Sequence, residues 1–261
     1  MKAKLVLLLV VLAAVWMLPV GAQDTGYRVI KVLNEGWIKG RVTHTRTDLE
    51  VPKIETDRDV KACGPGPKPI EAVSIGSDGA LRNVVVYLKD ISAGKEFLMP
   101  PQPPVLNQDH CAFQPHVQVM PVNSSIKITN NDNTLHGVHA FWFPLGTKFV
   151  LYPNSITYPA KTVFNIAMVA TRKESFQQVG GTGIVKFICE AGHFWMTAYA
   201  VVLPHPYFAK VSDDGTYLIE NIPPGKYTLV SWQEYFGTQE KAVEVKANQP
   251  AMVDFTYSEE L

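Results

Sequence analysis

Val185-Lys186-Phe187-Ile188, then Cys189-Glu190-Ala191-Gly192-His193-Phe194-Trp195-Met196, then Ala198 to Leu203, reads as a strand, a short loop and a second strand. Both flanks alternate with period two, which is the strand signature and not the helical one. Outward from this stretch the same signature recurs in Trp37 to Val42, Val117-Gln118-Val119-Met120 and Ile126-Lys127-Ile128-Thr129, with Val84 to Leu88 as a continuous buried-strand run. Turn clusters separate them, among them Asn130-Asn131-Asp132-Asn133 and Ser212-Asp213-Asp214-Gly215. No helical pattern of ten residues stands outside the N-terminus. Eighteen Gly and nineteen Pro in 261 residues suit many turns. The fold class is all-β, and a sandwich is the expected architecture.

Charge narrows the function classes. Lys plus Arg and Asp plus Glu both number 24, so the chain lacks the basic surplus of a nucleic-acid binder. Lys2, Lys4, the apolar run Leu5 to Leu18 and the small residues Val20-Gly21-Ala22 have the grammar of a secretory signal peptide over residues 1–22. The apolar run is shorter than the roughly 20 residues a membrane span needs. A periplasmic or extracellular mature protein is expected, with no transmembrane segment and with disulfides permitted.

Two proline-rich boundaries divide what remains, Met99-Pro100-Pro101-Gln102-Pro103-Pro104 and Pro204-His205-Pro206. The tail Asp214-Gly215-Thr216-Tyr217-Leu218-Ile219-Glu220-Asn221-Ile222-Pro223-Pro224-Gly225-Lys226-Tyr227 resembles the carboxypeptidase regulatory-like, transthyretin-like β-sandwich. The early strands of that family correspond to Ile38–Val42 and Val84–Leu88. The expected organisation is one regulatory-like sandwich in two pieces, 27–102 and 205–258, with residues 103–204 inserted in it or packed beside it.

The loop at Cys189 carries the chemistry. Cys-x3-His-x2-Met puts a thiolate, an imidazole and a thioether between adjacent strands, a donor set that suits a soft, redox-active metal. A second imidazole is available at His136, directly after the Asn-rich turn. Together these residues resemble the plastocyanin- and amicyanin-like cupredoxins, which join an upstream His to a Cys, His and Met on one later loop. The resemblance covers about Phe113 to Leu203. It implies a Greek-key sandwich holding one type 1 copper on His136, Cys189, His193 and Met196. Through Cys63-Gly64, Asn83–Leu88, Cys111 to Val117, the His136/His139 turn, Trp195 to Tyr199 and His205-Pro206-Tyr207-Phe208, the whole chain resembles a secreted bacterial group joining such a domain to a regulatory-like tail. Two departures stand out. Three residues separate Cys189 from His193 where the family has two, and Gly192 is placed to absorb the extra one. Gly137 replaces the Asn that tethers the two ligand loops in the family, so that tether is either absent or rebuilt.

Other donors have plainer readings beside the metal one. His139 falls on the opposite face of a strand from His136. His110 and His116 form a second metal site or are surface histidines. With Cys189 on the metal, Cys63 and Cys111 remain to pair as a disulfide, the alternative being two unpaired thiols.

The resemblance implies single-electron transfer, with His193 as an exposed electron exit and with a redox protein partner such as a c-type cytochrome or oxidoreductase. Phe141, Trp142, Phe143, Phe194 and Trp195 form either an apolar docking rim or a domain-interface core. The competing classes are a non-redox copper-binding or carrier module and a structural cell-surface sandwich. Against a copper-dependent oxidoreductase stand the lack of any His-x-His pair, Val185 in the position of a second copper-binding Cys, and the lack of Cys-x-x-Cys-His for haem.

Overall fold

The computed structural model describes residues 26–56, 58–98, 101–151, 161–170 and 173–261. The signal-peptide residues 1–22 lie outside them, as do Met99 and Pro100 of the proline boundary. The described chain is nearly all β, and its one α-helix is the four-residue Val60–Cys63. Among the described residues no helix is long and apolar enough to cross a membrane.

Two sandwiches share the molecule. In the central one, a four-stranded sheet runs Lys173–Gln178, Ser125–Asn130, Val105–Asp109, Ala112–Gln114. It faces a five-stranded sheet in the order Lys161–Met168, His136–Phe143, Gly183–Ile188, Thr197–Leu203, Val117–Pro121. Alternate residues from both sheets meet between them: Leu106, Phe113, Ile126 and Ile128 from the first, Val138, Ala140, Phe187 and Ala200 from the second. Such interdigitation of two inner faces is what closes a sandwich core.

The end sandwich draws strands from both ends of the chain. Val84–Leu88 pairs antiparallel with Phe208–Lys210 on one side and with Gly225–Gln233 on the other, and Gly237–Val245 completes that sheet. In the opposing sheet, Gly36–His44 pairs with Thr216–Ile222 and, in parallel, with Pro250–Met252 and Phe255–Tyr257. Ile38, Val42, Val86, Leu229, Val243 and Tyr257 fill the space between.

A third apolar layer explains the continuous runs in the sequence. The outer face of the Val84–Leu88 sheet packs on the outer face of the five-stranded sheet through Val85, Tyr87, Trp232, Phe143, Tyr199 and Val201. Both of those sheets are therefore covered on two sides. Val84–Leu88, Gly183–Ile188 and Thr197–Leu203 are buried at every position, which is why each reads as a near-unbroken apolar stretch. Phe141 and Phe143 lie in this layer, and Trp195 lies in the central core. Burial thus corrects the docking-rim reading for all three, and of the five aromatics only Phe194, at 54% exposure, faces solvent as a large exposed apolar side chain.

Candidate metal centre

The centre is set by the register of three neighbouring strands. His136–Phe143 and Thr197–Leu203 flank Gly183–Ile188, with His139 opposite Ile188 and Ile188 opposite Thr197. The start of the first strand and the loop Cys189 to Met196 therefore lie at the same end of the sheet. Within the loop, Met196 N–H donates to His193 O at 3.0 Å and Cys189 N–H to Met196 O at 3.3 Å. Gly192, the last of the three residues between Cys189 and His193, has φ +94°, a conformation that favours glycine.

Three donor atoms converge. His136 Nδ1 is 3.1 Å from His193 Nδ1, and Cys189 Sγ lies 3.8 Å from the first and 3.6 Å from the second. The point in their plane equidistant from all three is about 2.0 Å from each, a metal–imidazole bond length and about 0.3 Å short of a metal–thiolate one. All three side chains are buried, and Met196 is buried in the same apolar core as Cys189.

Each imidazole is held from behind by a carboxylate. His136 Nε2 donates to Asp132 Oδ2 at 2.8 Å, and His193 Nε2 donates to Asp59 Oδ2 at 2.9 Å. With the ring hydrogens on Nε2, both Nδ1 atoms present lone pairs to one another and to the sulfur. Two imidazole lone pairs and a thiol sulfur are aimed at one buried point, and this soft donor set suits copper. Burial, opposed by Asp132, holds the His136 imidazole below its ordinary range; burial and the neighbouring His136 do the same for His193. Both rings are thus kept neutral and able to ligate. Burial pushes the Cys189 thiol up, against the pull of the Gly137, Ala191 and His193 amides that face its sulfur.

Glu190 ties the two loops together. A Cβ on Gly137 would lie 3.4 Å from the Glu190 amide nitrogen, so the two ligand loops touch there. Glu190 Oε1 accepts from His139 Nδ1 at 2.7 Å, and Glu190 Oε2 accepts from Asn165 Nδ2 at 2.9 Å. His139 is accordingly a tether on the far face of its strand, with Nε2 also 3.0 Å from Thr162 Oγ1.

Behind the centre, Cys63 and Cys111 form a disulfide with Cα atoms 5.1 Å apart, and Cys189 is a free buried thiol. Donor atoms of Cys63, Cys111 and His193 lie within 4.8 Å of one another, so the bridge adjoins the centre. Trp195 Nε1 donates to Cys111 O at 2.8 Å and its ring meets that of His193 edge-on, with centroids 5.3 Å apart.

The remaining candidate histidines lie apart from these donors. Among the described residues, no cluster of three His, Cys, Asp or Glu donors includes His110, His116 or His139. His110 is solvent-exposed beside Asp109. His116 is buried between the two sandwiches, with Nε2 2.6 Å from Glu234 and Nδ1 3.3 Å from Glu71. His193 is fully buried and is not an exposed exit. Asp132, Asp59 and Glu190 are the residues sequence reasoning missed. Asp132 alone carried a local signal, four positions before His136 in the Asn-rich turn.

The family described as polysaccharide lyase family 4, domain II matches residues 191–253, less than half of the chain. No curated protein matches it. Among solved structures, the chain is similar to the reduced Cu(I) form of the P52G mutant of amicyanin at pH 4, at 14% identity and a TM-score of 0.29, covering 40% of this chain and 86% of that one. A purple cupredoxin from Nitrosopumilus maritimus aligns at 16% identity and 0.28, covering 38% and 99%. A copper-containing nitrite reductase from Thermus scotoductus SA-01 aligns at 15% and 0.29, covering 41% of this chain and 24% of the reductase.

Proposed function

We propose that the chain is a copper-binding electron carrier, in which His136, Cys189 and His193 would hold one ion and Met196 would add a weak thioether donor. The observation that carries the reading is the convergence of the three donor atoms within 3.8 Å of one another, with both imidazoles held by carboxylates. Copper bound there supplies a one-electron couple. The protein supplies rigidity and dryness. The sheets and the loop's own hydrogen bonds fix the donors, and the apolar core around Cys189, Met196 and Trp195 excludes water. Little rearrangement then accompanies a change of oxidation state.

The cellular setting belongs to the same proposal. A secreted, periplasmic or extracellular protein fits the N-terminal apolar run and the Cys63–Cys111 bridge. Its partner would be a redox protein such as a c-type cytochrome or oxidoreductase, and the chain itself a carrier and not an enzyme. The end sandwich, with its Asp214-Gly215 and Pro224-Gly225 turns, is read as a regulatory-like, transthyretin-like module that supports or docks the copper domain.

A potentiometric titration of the copper-loaded protein tests the carrier role. One reversible one-electron wave is expected, and Met196→Leu should raise its potential because a donor to the oxidised ion is lost. Tight copper binding without a reversible wave would favour the second reading, a non-redox copper carrier. One observation favours that alternative: the buried His193 has no edge open to a partner.

A further inference from the structure

We infer that Asp59 is a positioning residue for the metal centre, carried on an arm that the Cys63–Cys111 disulfide straps over His193. It makes His193 an internal ligand where a solvent-facing edge would otherwise lie. The inference takes the identity of the ion from the copper reading above, but its geometry stands without it.

The arm is short and doubly fastened. Asp59 lies 134 residues from His193 in sequence, yet its carboxylate receives the Nε2 hydrogen at 2.9 Å. Its backbone carbonyl accepts from the amides of Ala62 and Cys63, both at 2.8 Å, so the turn that aims the carboxylate also delivers Cys63 to its bridge. Asp59 adopts a left-handed conformation, φ +48°, which Asp tolerates better than most residues. Arg58 covers the loop next door: a Cβ on Gly192 would come within 2.6 Å of its guanidinium carbon. Gly192 leaves room for that guanidinium, and its own φ of +94° is one that favours glycine.

The two carboxylates behind the centre belong to one closed circuit. Asp59 leads through Cys63 and the disulfide to Cys111, whose amide donates to Asp132 at 2.9 Å, and Asp132 holds His136. A single bridge therefore ties together the groups that orient both imidazoles. Three consequences follow for the centre. His193 is locked with hydrogen on Nε2 and a lone pair on Nδ1. A second carboxylate charge sits near the ion, favouring its more oxidised state. The Nε2 edge is occupied by Asp59, so a partner does not reach the centre by that edge.

The test uses the full-length chain and begins without metal. Nitrogen-15 spectra of the histidine rings should show His193 as the Nε2–H tautomer. Asp59→Ala should turn it into a mixture of tautomers, and Asp59→Asn, whose amide oxygen can still accept, should restore the single form. With copper(I) and a competing chelator, affinity should fall about 10–100-fold in Asp59→Ala and largely return in Asp59→Asn. The potential should rise in both variants, since both lose the charge. An unchanged His193 tautomer in Asp59→Ala overturns the proposal. A wild-type chain that fails to take up copper would defeat the copper reading while leaving the tautomer result to decide this one. Should Asp59→Ala not fold, the Cys63→Ser, Cys111→Ser double variant releases the strap with Asp59 still present. The same mixture of tautomers is expected there, and a single Nε2–H form in it overturns the strap.

Discussion

Asp132 Oδ2 accepts a hydrogen bond from His136 Nε2 at 2.8 Å. The same carboxylate takes the amide hydrogens of His110 and Cys111, at 2.7 and 2.9 Å. Those two residues form the turn between Val105–Asp109 and Ala112–Gln114, with φ of +52° and +54°. A two-residue turn of that hand matches the twist of paired strands but strains residues other than glycine. Asp132 offsets the strain and orients His136 with one side chain.

Asp132→Ala should therefore lose on two measurements at once. The orphaned, buried Cys111 amide costs about 1–3 kcal/mol of stability in a urea titration. Metal affinity should fall about 10–100-fold in a competition titration. A variant weakened in stability alone would show that His136 is held by packing.

Metal uptake should release a proton. Burial lifts the Cys189 thiol above its ordinary 9.0 and lowers both ligand imidazoles below 6.5. Between those values the rings are already neutral and the thiol still carries its hydrogen. Affinity should then rise about tenfold per pH unit across that window. Calorimetry in buffers of different ionisation enthalpy counts the proton, and none released would mean that the thiolate pre-exists.

His116 and Glu234 give the interface between the sandwiches a pH dependence. Burial alone would lower the His116 imidazole, but Glu234 and Glu71 outweigh it and raise it to about 10. Its stabilising contribution is thus complete below the ordinary 6.5 and is lost as pH climbs towards 10. The stability difference between the wild type and His116→Gln should shrink over that range in urea titrations. Removing the partner with Glu234→Ala leaves a buried charge and should cost about 3–5 kcal/mol near neutral pH. A difference that grows with pH would contradict this account.

Deleting residues 205–261 should unfold the segment 27–98. Val84–Leu88 would lose both of its neighbours, Phe208–Lys210 and Gly225–Gln233. A dispersed amide spectrum from residues 27–98 alone would show that the first piece folds unaided.

The strands that line the two cores were legible because alternation and apolar runs register burial directly. Val84–Leu88 appears in the structure with the bounds its run suggests. Lys161–Met168 and Gly237–Val245 were not legible. Both lie at sheet edges and are half exposed, so charged and polar residues interrupt their pattern. At the centre, His136, Cys189, His193 and Met196 could be picked out by donor chemistry on two loops. Asp59 and Glu190 could not. Both resemble any surface acid until folding brings Asp59 across 134 positions and Glu190 across 51 to their histidines. The burial of His193 follows from that same long-range contact, which no local pattern encodes.

The visible absorption spectrum of the copper-loaded, oxidised chain tests the central claim most directly. Copper bound by the Cys189 thiolate and two imidazoles should give one intense charge-transfer band at one ion per chain. Cys189→Ser should abolish that band and leave the fold intact. Copper taken up at that stoichiometry without an intense visible band, or a band that survives Cys189→Ser, would contradict the assignment of His136, Cys189 and His193 as its ligands.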